Sequence, residues 1–295
     1  MPNDLSHHIL ELIKRASTRM PTDVVKSLER HRDREIPGSR SERILTAILE
    51  NINVARDQQT PICQDTGNNI YYVSAPPSFT YDEIERAIHA ATRKATKQFL
   101  LRANAVDAIS GENSNDGVGA GLPQIVFRQW NRKELKIDLV LKGGGAEDVS
   151  NQYRLPEPAL RAARNLDGVA RSVIDAVQRA QGLGCAPGII GVGIGGDRET
   201  SHHIAKEQLL RKLDDKSSDK RLAQLERELY ETLNRLGIGP MGFGGRTTVL
   251  AVKIGAQHRH PNNFFVSVAY GCWANRRATL TATGTSRRLK ARVTN

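Results

Sequence analysis

GLGCAPGIIGVGIGGDRETSHHIAKEQLLRKL, residues 182–213, decides the fold class. Ile189 to Ile194 is a short apolar run bounded by Gly and Pro, the signature of a buried strand. SHHIAKEQLLRKL has helical character, so a strand runs through a glycine turn into a helix, as in an α/β chain. Gly191, Gly193 and Gly196 match G-x-G-x-x-G, and Asp214 and Asp215 follow at about the spacing of a dinucleotide-binding unit. In that unit the acid ends a second strand. Here KLDDKSSDKRLAQLERE (212–228) is a polar turn leading into a helix, so no strand–helix–strand unit is expected. The glycines are read as tight turns whose bare N–H groups suit an anion. Two further clusters, Gly143–Gly145 and the stretch Gly237–Gly245, imply close backbone approach to a small ligand.

Working outward, Ile9, Leu12, Ile13 and Ala16 recur at helical spacing, and Pro21 suits the first turn of a second helix, PTDVVKSLER. A third helix is expected at about 41–53. Ile70–Val73 reads as a strand and 81–106 as a helix carrying Ile84, Ile88, Ala91, Ala95 and Phe99. Two strands, 124–129 and 135–141, are expected on either side of a polar turn at 130–133. A helix over 156–180 follows. Leu222, Leu225, Leu229, Leu233 and Leu236 make the core-facing stripe of another helix. Strands at 247–254 and 264–269 and a short basic tail finish the chain. The expected fold is mixed α/β: a helical N-terminal part (1–60, without a firm boundary) and a mixed, largely antiparallel sheet flanked by helices. It is read as one catalytic domain, 1–295, with cysteine-bearing turns around one cavity.

Composition narrows the function. The 295 residues carry 43 Lys+Arg against 32 Asp+Glu, a formal charge of +11 with His neutral. The basic residues are scattered and laced with acids, so the excess reads as a field for an anionic small molecule rather than as a nucleic-acid stripe. No apolar run is long enough to cross a membrane, and MPNDLSHHILELIKR (1–15) carries Asp, Glu and two His where a signal peptide needs an apolar stretch. A cytoplasmic protein with no membrane partner is expected. Three cysteines, an odd number widely spaced, make no disulfide framework.

Each cysteine lies in a turn: Cys63 in PICQDTGNN, Cys185 in GLGCAPGIIG and Cys272 in YGCWANRR. Core thiols more often sit inside apolar periodic runs. Three thiols suit a zinc site with water in the fourth position, or an iron–sulfur cluster with one iron lacking a thiolate. A Cys/His nucleophilic site using His258 or His260 as base is the other chemistry on offer.

In order along the chain, PICQDTGNN (61–69), LRANAVD (101–107), ENSNDGVGAGLP (112–123), KGGGAEDVSNQY (142–153), CAPGIIGVGIGG (185–196), LNRLGIGPMGFGG (233–245) and GCWANRR (271–277) resemble one family. It is the α subunit of the class I iron–sulfur hydro-lyases, the class I fumarate hydratases and L(+)-tartrate dehydratases. STRMPTDVV (17–25), RHP (259–261) and CWANRR look like the tartrate branch, whereas KGGGAED with SNQY leans toward fumarase. The resemblance implies a [4Fe–4S] cluster on Cys63, Cys185 and Cys272 whose fourth iron has no cysteine. It also implies a β subunit, likewise missing from this chain, in an α2β2 assembly. The expected activity is dehydration of a 2-hydroxy dicarboxylate, L(+)-tartrate to oxaloacetate, with fumarate/malate interconversion as the alternative. A non-enzymatic zinc- or nucleic-acid-binding protein is the reading from another class. By the same resemblance Asp65 and His260 are catalytic candidates, and Gln64, Arg102, Gly144 and Gly145 contact the substrate. Arg276 and Arg277 line the same cavity or offset cluster charge.

Overall fold

Ile9, Leu12, Ile13 and Ala16 do share one helix face, and all four are fully buried. The helix that carries them starts where the Asp4 carboxylate accepts the His7 N–H at 2.9 Å, a side-chain cap for its first turn. The structure is a computed structural model, and it describes residues 4–285 and 288–295. The described helices are α1 (Leu5–Thr18), α2 (Thr22–Arg32), α3 (Arg40–Gln58), α4 (Tyr81–Lys97), α5 (Gly144–Asp148), α6 (Leu166–Ala180), α7 (Arg198–Gln208) and α8 (Lys220–Arg235). The strands are β1 (Asn68–Ser74), β2 (Gln124–Arg128), β3 (Leu135–Lys142), β4 (Asn151–Arg154), β5 (Gly188–Ile194), β6 (Val249–Ala256), β7 (Phe265–Gly271), β8 (Arg276–Thr285) and β9 (Arg288–Thr294).

These elements form two compact units. The first comprises Met1–Thr22, Asn51–Gly143 and Arg276–Asn295. Its five-stranded sheet has the order β2-β1-β3-β8-β9, with β2 parallel to β1 and the other neighbours antiparallel. Leu135, Ile137, Leu139 and Leu141 point to one face with Ala278, Leu280 and Ala282, and α1 and α4 complete that core. The alternate residues make a polar face. There the buried Asp138 carboxylate meets Lys136 at 2.8 Å and the Thr279 hydroxyl at 2.7 Å.

The second unit comprises Asp23–Glu50 and Gly144–Asn275. Its four-stranded sheet has the order β4-β7-β5-β6. Ile190, Val192 and Ile194 face α6 and α8, whose buried Val173, Val177, Leu225, Leu229 and Leu233 fill the core on that side. Gly191 and Gly193 face α7 on the other side. A Cβ on Gly191 would fall on the Ala205 carbonyl oxygen, and one on Gly193 on that of Ser201. Helix α7 therefore lies closer to β5 than any side chain allows.

Mixed α/β architecture is as expected, but the sheet is two sheets, and several local expectations change. The strands at 124–128 and 135–142 do not pair with each other, because β1 lies between them. Helix α4 stops at Lys97: Phe99 takes φ +58°, and the Leu100 N–H turns back to the Ala95 carbonyl at 3.0 Å in a Schellman-like end. The helix expected from 156 begins only at Leu166, where Asn165 caps it. The basic tail is the two strands β8 and β9, with β8 inside the first sheet. Most consequential, β5 and β6 are parallel neighbours joined through α7 and α8, so a parallel crossover does form. It is not a nucleotide unit. The Asp197 carboxylate accepts the Thr200 N–H and occupies the helix N-terminus that a phosphate would need. Asp215 lies between α7 and α8, paired with Arg211 and Lys253.

Alanine at Gly193 must push α7 off β5. Loss of about 2 kcal/mol or more is expected, read as a lower urea midpoint with an unchanged m-value.

Candidate active site

In the first unit the turn 63–67 leads into β1. Asp65 Oδ1 accepts the Gly67 N–H at 2.9 Å, an Asx turn that fixes the carboxylate, and Gly67 takes φ +78°. A Cβ on Gly67 would stand 2.7 Å from the Lys142 carbonyl, so only glycine lets the turn lie against the end of β3. Thr66, buried in the turn, accepts the Arg102 N–H at 2.9 Å and the Asn104 side-chain N–H at 3.3 Å. Asn104 also donates to the Gly67 carbonyl at 3.0 Å. The segment that carries Arg102 is thus stitched to the cysteine turn through one hydroxyl. Cys63 is half-buried, and Gln64, Asp65 and Arg102 are exposed.

Gly143 joins this group. A methyl there would lie 2.9 Å from Asp65 Oδ2 and 4.0 Å from Arg276 Nη2. Arg276 is only 1% exposed, and its Nε and Nη1 find no acceptor among the described residues. A buried guanidinium so placed is costly, which marks the ground beneath Asp65 as an electropositive point.

In the second unit β5 and β7 are antiparallel with Ile189 opposite Gly271. Cys185 just before β5 and Cys272 just after β7 therefore come to the same end of one sheet. Both are reduced and half-buried. Cys185 takes φ +56°, its N–H bonds the Gly182 carbonyl at 3.0 Å, and its own carbonyl accepts the Trp273 N–H at 3.2 Å. Those bonds hold the two cysteine turns together. Tyr270 fills the space beside them: a Cβ on Gly184 or Gly188 would strike its ring at 2.5 or 2.7 Å. Burial first, and then the two cysteines, push the Tyr270 hydroxyl well above its ordinary pKa.

Gly144 and Gly145 open α5, and a Cβ on Gly145 would sit 3.4 Å from the Leu183 carbonyl, beside the Cys185 turn. The cluster Gly237–Gly245 serves loop packing: Gly242 lies against Gly182, its would-be Cβ 2.8 Å from the Gly182 Cα. His260 lies elsewhere in the unit. Its loop leads into β7 at the end opposite Cys272, about 20 Å away at strand rise. Arg259 organises that loop by donating to the carbonyls of His260, Pro261 and Asn263 and covering the Phe264 ring. His260 Nδ1 accepts the Asn262 N–H at 3.2 Å, which leaves Nε2 as the protonated nitrogen of the neutral ring. His258 is exposed on the same loop.

The first unit thus gathers Cys63, Gln64, Asp65 and Arg102, and the second gathers Cys185, Cys272, Gly144 and Gly145 but not His260. Within neither unit, among the described residues, do three His, Cys, Asp or Glu side chains gather closely enough to hold a metal ion. As a donor set, three reduced, half-buried thiols in polar turns fit an iron–sulfur cluster, whose ligands are thiolates. Thr66, Asn104 and Tyr270 pack or bond beside the candidate residues and are overlooked by residue-type reasoning, although Thr66 and Asn104 stand inside PICQDTGNN and LRANAVD. Valine at Thr66 strands the Arg102 N–H. The expected loss is about 1–3 kcal/mol, with faster hydrogen exchange at the Arg102 amide.

Known proteins resemble this chain over nearly all of its length. The profile of the Fumarate hydratase (Fumerase) family matches residues 6–281. A Geobacillus stearothermophilus protein named as a class I fumarate hydratase is 46% identical over 276 residues, 92% of this chain but 54% of the relative. This chain therefore spans about half the length of that relative. A Methanocaldococcus jannaschii protein named as an L(+)-tartrate dehydratase subunit alpha is 34% identical over 93% of this chain and 96% of its own length. The L(+)-tartrate dehydratase subunit alpha of Escherichia coli K12 is 32% identical over 94% and 90%. With a profile match from 6 to 281 and relatives of matching length above 30% identity, the chain belongs to the fumarate hydratase (fumerase) family.

Proposed function

We propose that this chain is the cluster-bearing component of a [4Fe–4S]-dependent hydro-lyase that adds or removes water at a C4 dicarboxylate. The observation that carries it is the pair of half-buried thiols, Cys185 and Cys272, held at one end of one sheet in a chain of this family. Cys63 is the third ligand in this proposal. When bound, the cluster supplies Lewis acidity toward a hydroxyl leaving group.

The chain's own residues bind and orient the dianion. Arg102 offers a forked pair of donors to one carboxylate, and its backbone tie to Thr66 keeps it beside Asp65. Gln64 adds an amide donor, and Gly144 and Gly145, lacking side chains of their own, let the backbone come close. Asp65, oriented by the Gly67 N–H on Oδ1, is the carboxylate assigned to moving a proton at the substrate hydroxyl. His260 has no part in this proposal, because its loop lies at the far end of β7 from Cys272.

The favoured pair is malate and fumarate, because identity to the fumarate hydratase relative is 46% against 34% and 32% for the tartrate dehydratase subunits. L(+)-tartrate is the second substrate, favoured by the full-length match to those alpha subunits. A β component supplies the remaining groups, including the α-proton base, in an α2β2 enzyme. Exposed apolar side chains beside the cysteine turn, Leu183 and Phe243, support a partner surface there. No described helix is long and apolar enough to cross a membrane. We place the enzyme in the cytoplasm.

Anaerobic purification is expected to give about four irons and four acid-labile sulfides per chain, lost on Cys→Ser replacement at 63, 185 or 272. Iron and sulfide both absent after reconstitution would refute the proposal. Turnover of L-malate, fumarate and L(+)-tartrate is expected only with the β component, with kcat/KM highest for the malate–fumarate pair.

A further inference from the structure

A cavity of about 720 Å³ lies wholly in the second unit and contains none of the cysteine turns. Its volume is that of a small-molecule site. The end of α2 supplies Arg30 and His31 and the turn after it Arg34, α8 supplies Lys220, Arg227 and Tyr230, and Leu250, Ala251 and Val252 of β6 form an apolar floor.

The charge on this cavity is one-sided. Two of its three acids are consumed within the wall: Asp215 pairs with Arg211 at 2.8 Å and Lys253 at 2.9 Å, and Glu226 pairs with Arg211 at 2.7 Å. Glu226 also accepts the Ile254 N–H at 2.8 Å, closing the outer edge of β6. Lys253 is itself buried and committed to Asp215. Arg30, Arg34, Lys216, Lys220 and Arg227 make no ion pair among the described residues; of the lining acids only Asp214 is outside those pairs, and Asp23, Glu29 and Asp33 border Arg30 on its other side. The N-terminus of α8 adds no net charge, because the Asp219 carboxylate caps it through the Arg221 N–H at 2.8 Å and pairs with the Arg221 guanidinium at 2.8 Å.

His31 anchors the wall. Its Nδ1 donates to the Ser27 carbonyl at 2.7 Å, so its Nε2 accepts the Tyr230 hydroxyl at 2.8 Å. Burial, together with Arg34 and Arg30, lowers its pKa and keeps the ring neutral. The Tyr230 ring and the β6 floor thus give the cationic cavity an apolar side suited to a flat ring.

We propose that this cavity binds a nucleoside polyphosphate, with Arg30, Arg34 and Arg227 on the phosphates and the base against Tyr230 and the β6 floor. Forked guanidinium donors suit phosphate oxygens, and a surplus of cations over a concave, partly apolar floor concentrates a polyanion. The proposal is independent of the hydro-lyase chemistry.

The test is calorimetry on the full chain at about physiological ionic strength, with ATP, AMP and tripolyphosphate as probes. The cavity variant is R30S/R34S. The control, K94Q/K97Q, removes two exposed cations of α4. All four positions are solvent-facing, and unchanged thermal melting confirms the fold. ATP is expected to bind one per chain, more tightly than AMP. R30S/R34S is expected to weaken ATP about tenfold or more while the control leaves it unchanged. A bound anion is also expected to raise the titration midpoint of His31 seen by NMR, a shift that a diffuse surface charge would not produce. ATP affinity unmoved by R30S/R34S, or lowered equally by the control, would overturn the site in favour of unspecific attraction to a basic chain. Tripolyphosphate binding as tightly as ATP would overturn the nucleoside assignment. No binding at millimolar ATP would overturn the proposal altogether.

Discussion

The antiparallel register of β5 on β7 is the constraint on which the cysteine geometry of the second unit depends. Because Ile189 stands opposite Gly271, residues before β5 and after β7 emerge together. Cys185 and Cys272 are 87 residues apart in the chain, and this pairing alone makes them neighbours. The register in turn rests on glycines. Gly184 and Gly188 make room for the Tyr270 ring between the turns, and Gly191 and Gly193 let α7 seat directly on β5. The same pairing carries the start of β7, and with it His260, to the far end of the sheet.

In the first unit a hydroxyl plays the corresponding part. Thr66 accepts two donors from the Arg102–Asn104 segment, so a turn and a loop 36 residues later share one buried anchor. The Asx turn of Asp65 uses one carboxylate oxygen locally and points the other toward Gly143, where Arg276 also arrives. The turn thus fixes the orientation of the Asp65 carboxylate. The buried guanidinium beside them sits at the start of β8, a segment whose basic character suggests an exposed tail. It is inside the sheet because β8 pairs along β3 and brings Ala278, Leu280 and Ala282 into the core.

Much of the fold was legible wherever one face of an element is apolar. The stripes of α1 and α8 and the runs of β1, β3, β5 and β7 read directly, since burial imposes their period. Legibility failed where the deciding partner is remote. The strands at 124–128 and 135–142 look like a hairpin, yet β1 lies between them. The apolar spacing of α4 continues to Phe99, but a left-handed residue ends the helix first. For the candidate site, the cysteines, Gln64, Asp65 and Arg102 were legible through ordered motifs. Thr66, Asn104 and Tyr270 were not, because a buried hydroxyl or phenol has no periodicity to betray its bonding.

By itself the sequence determined the mixed α/β class and the family, because these depend on local pattern and on ordered motifs. Only the tertiary structure decided which thiols meet, that G-x-G-x-x-G here serves helix-on-strand packing, and that His260 stands apart from Cys272. Those outcomes follow from strand order and register, which are set by contacts between residues far apart in the chain and leave no mark on the local sequence.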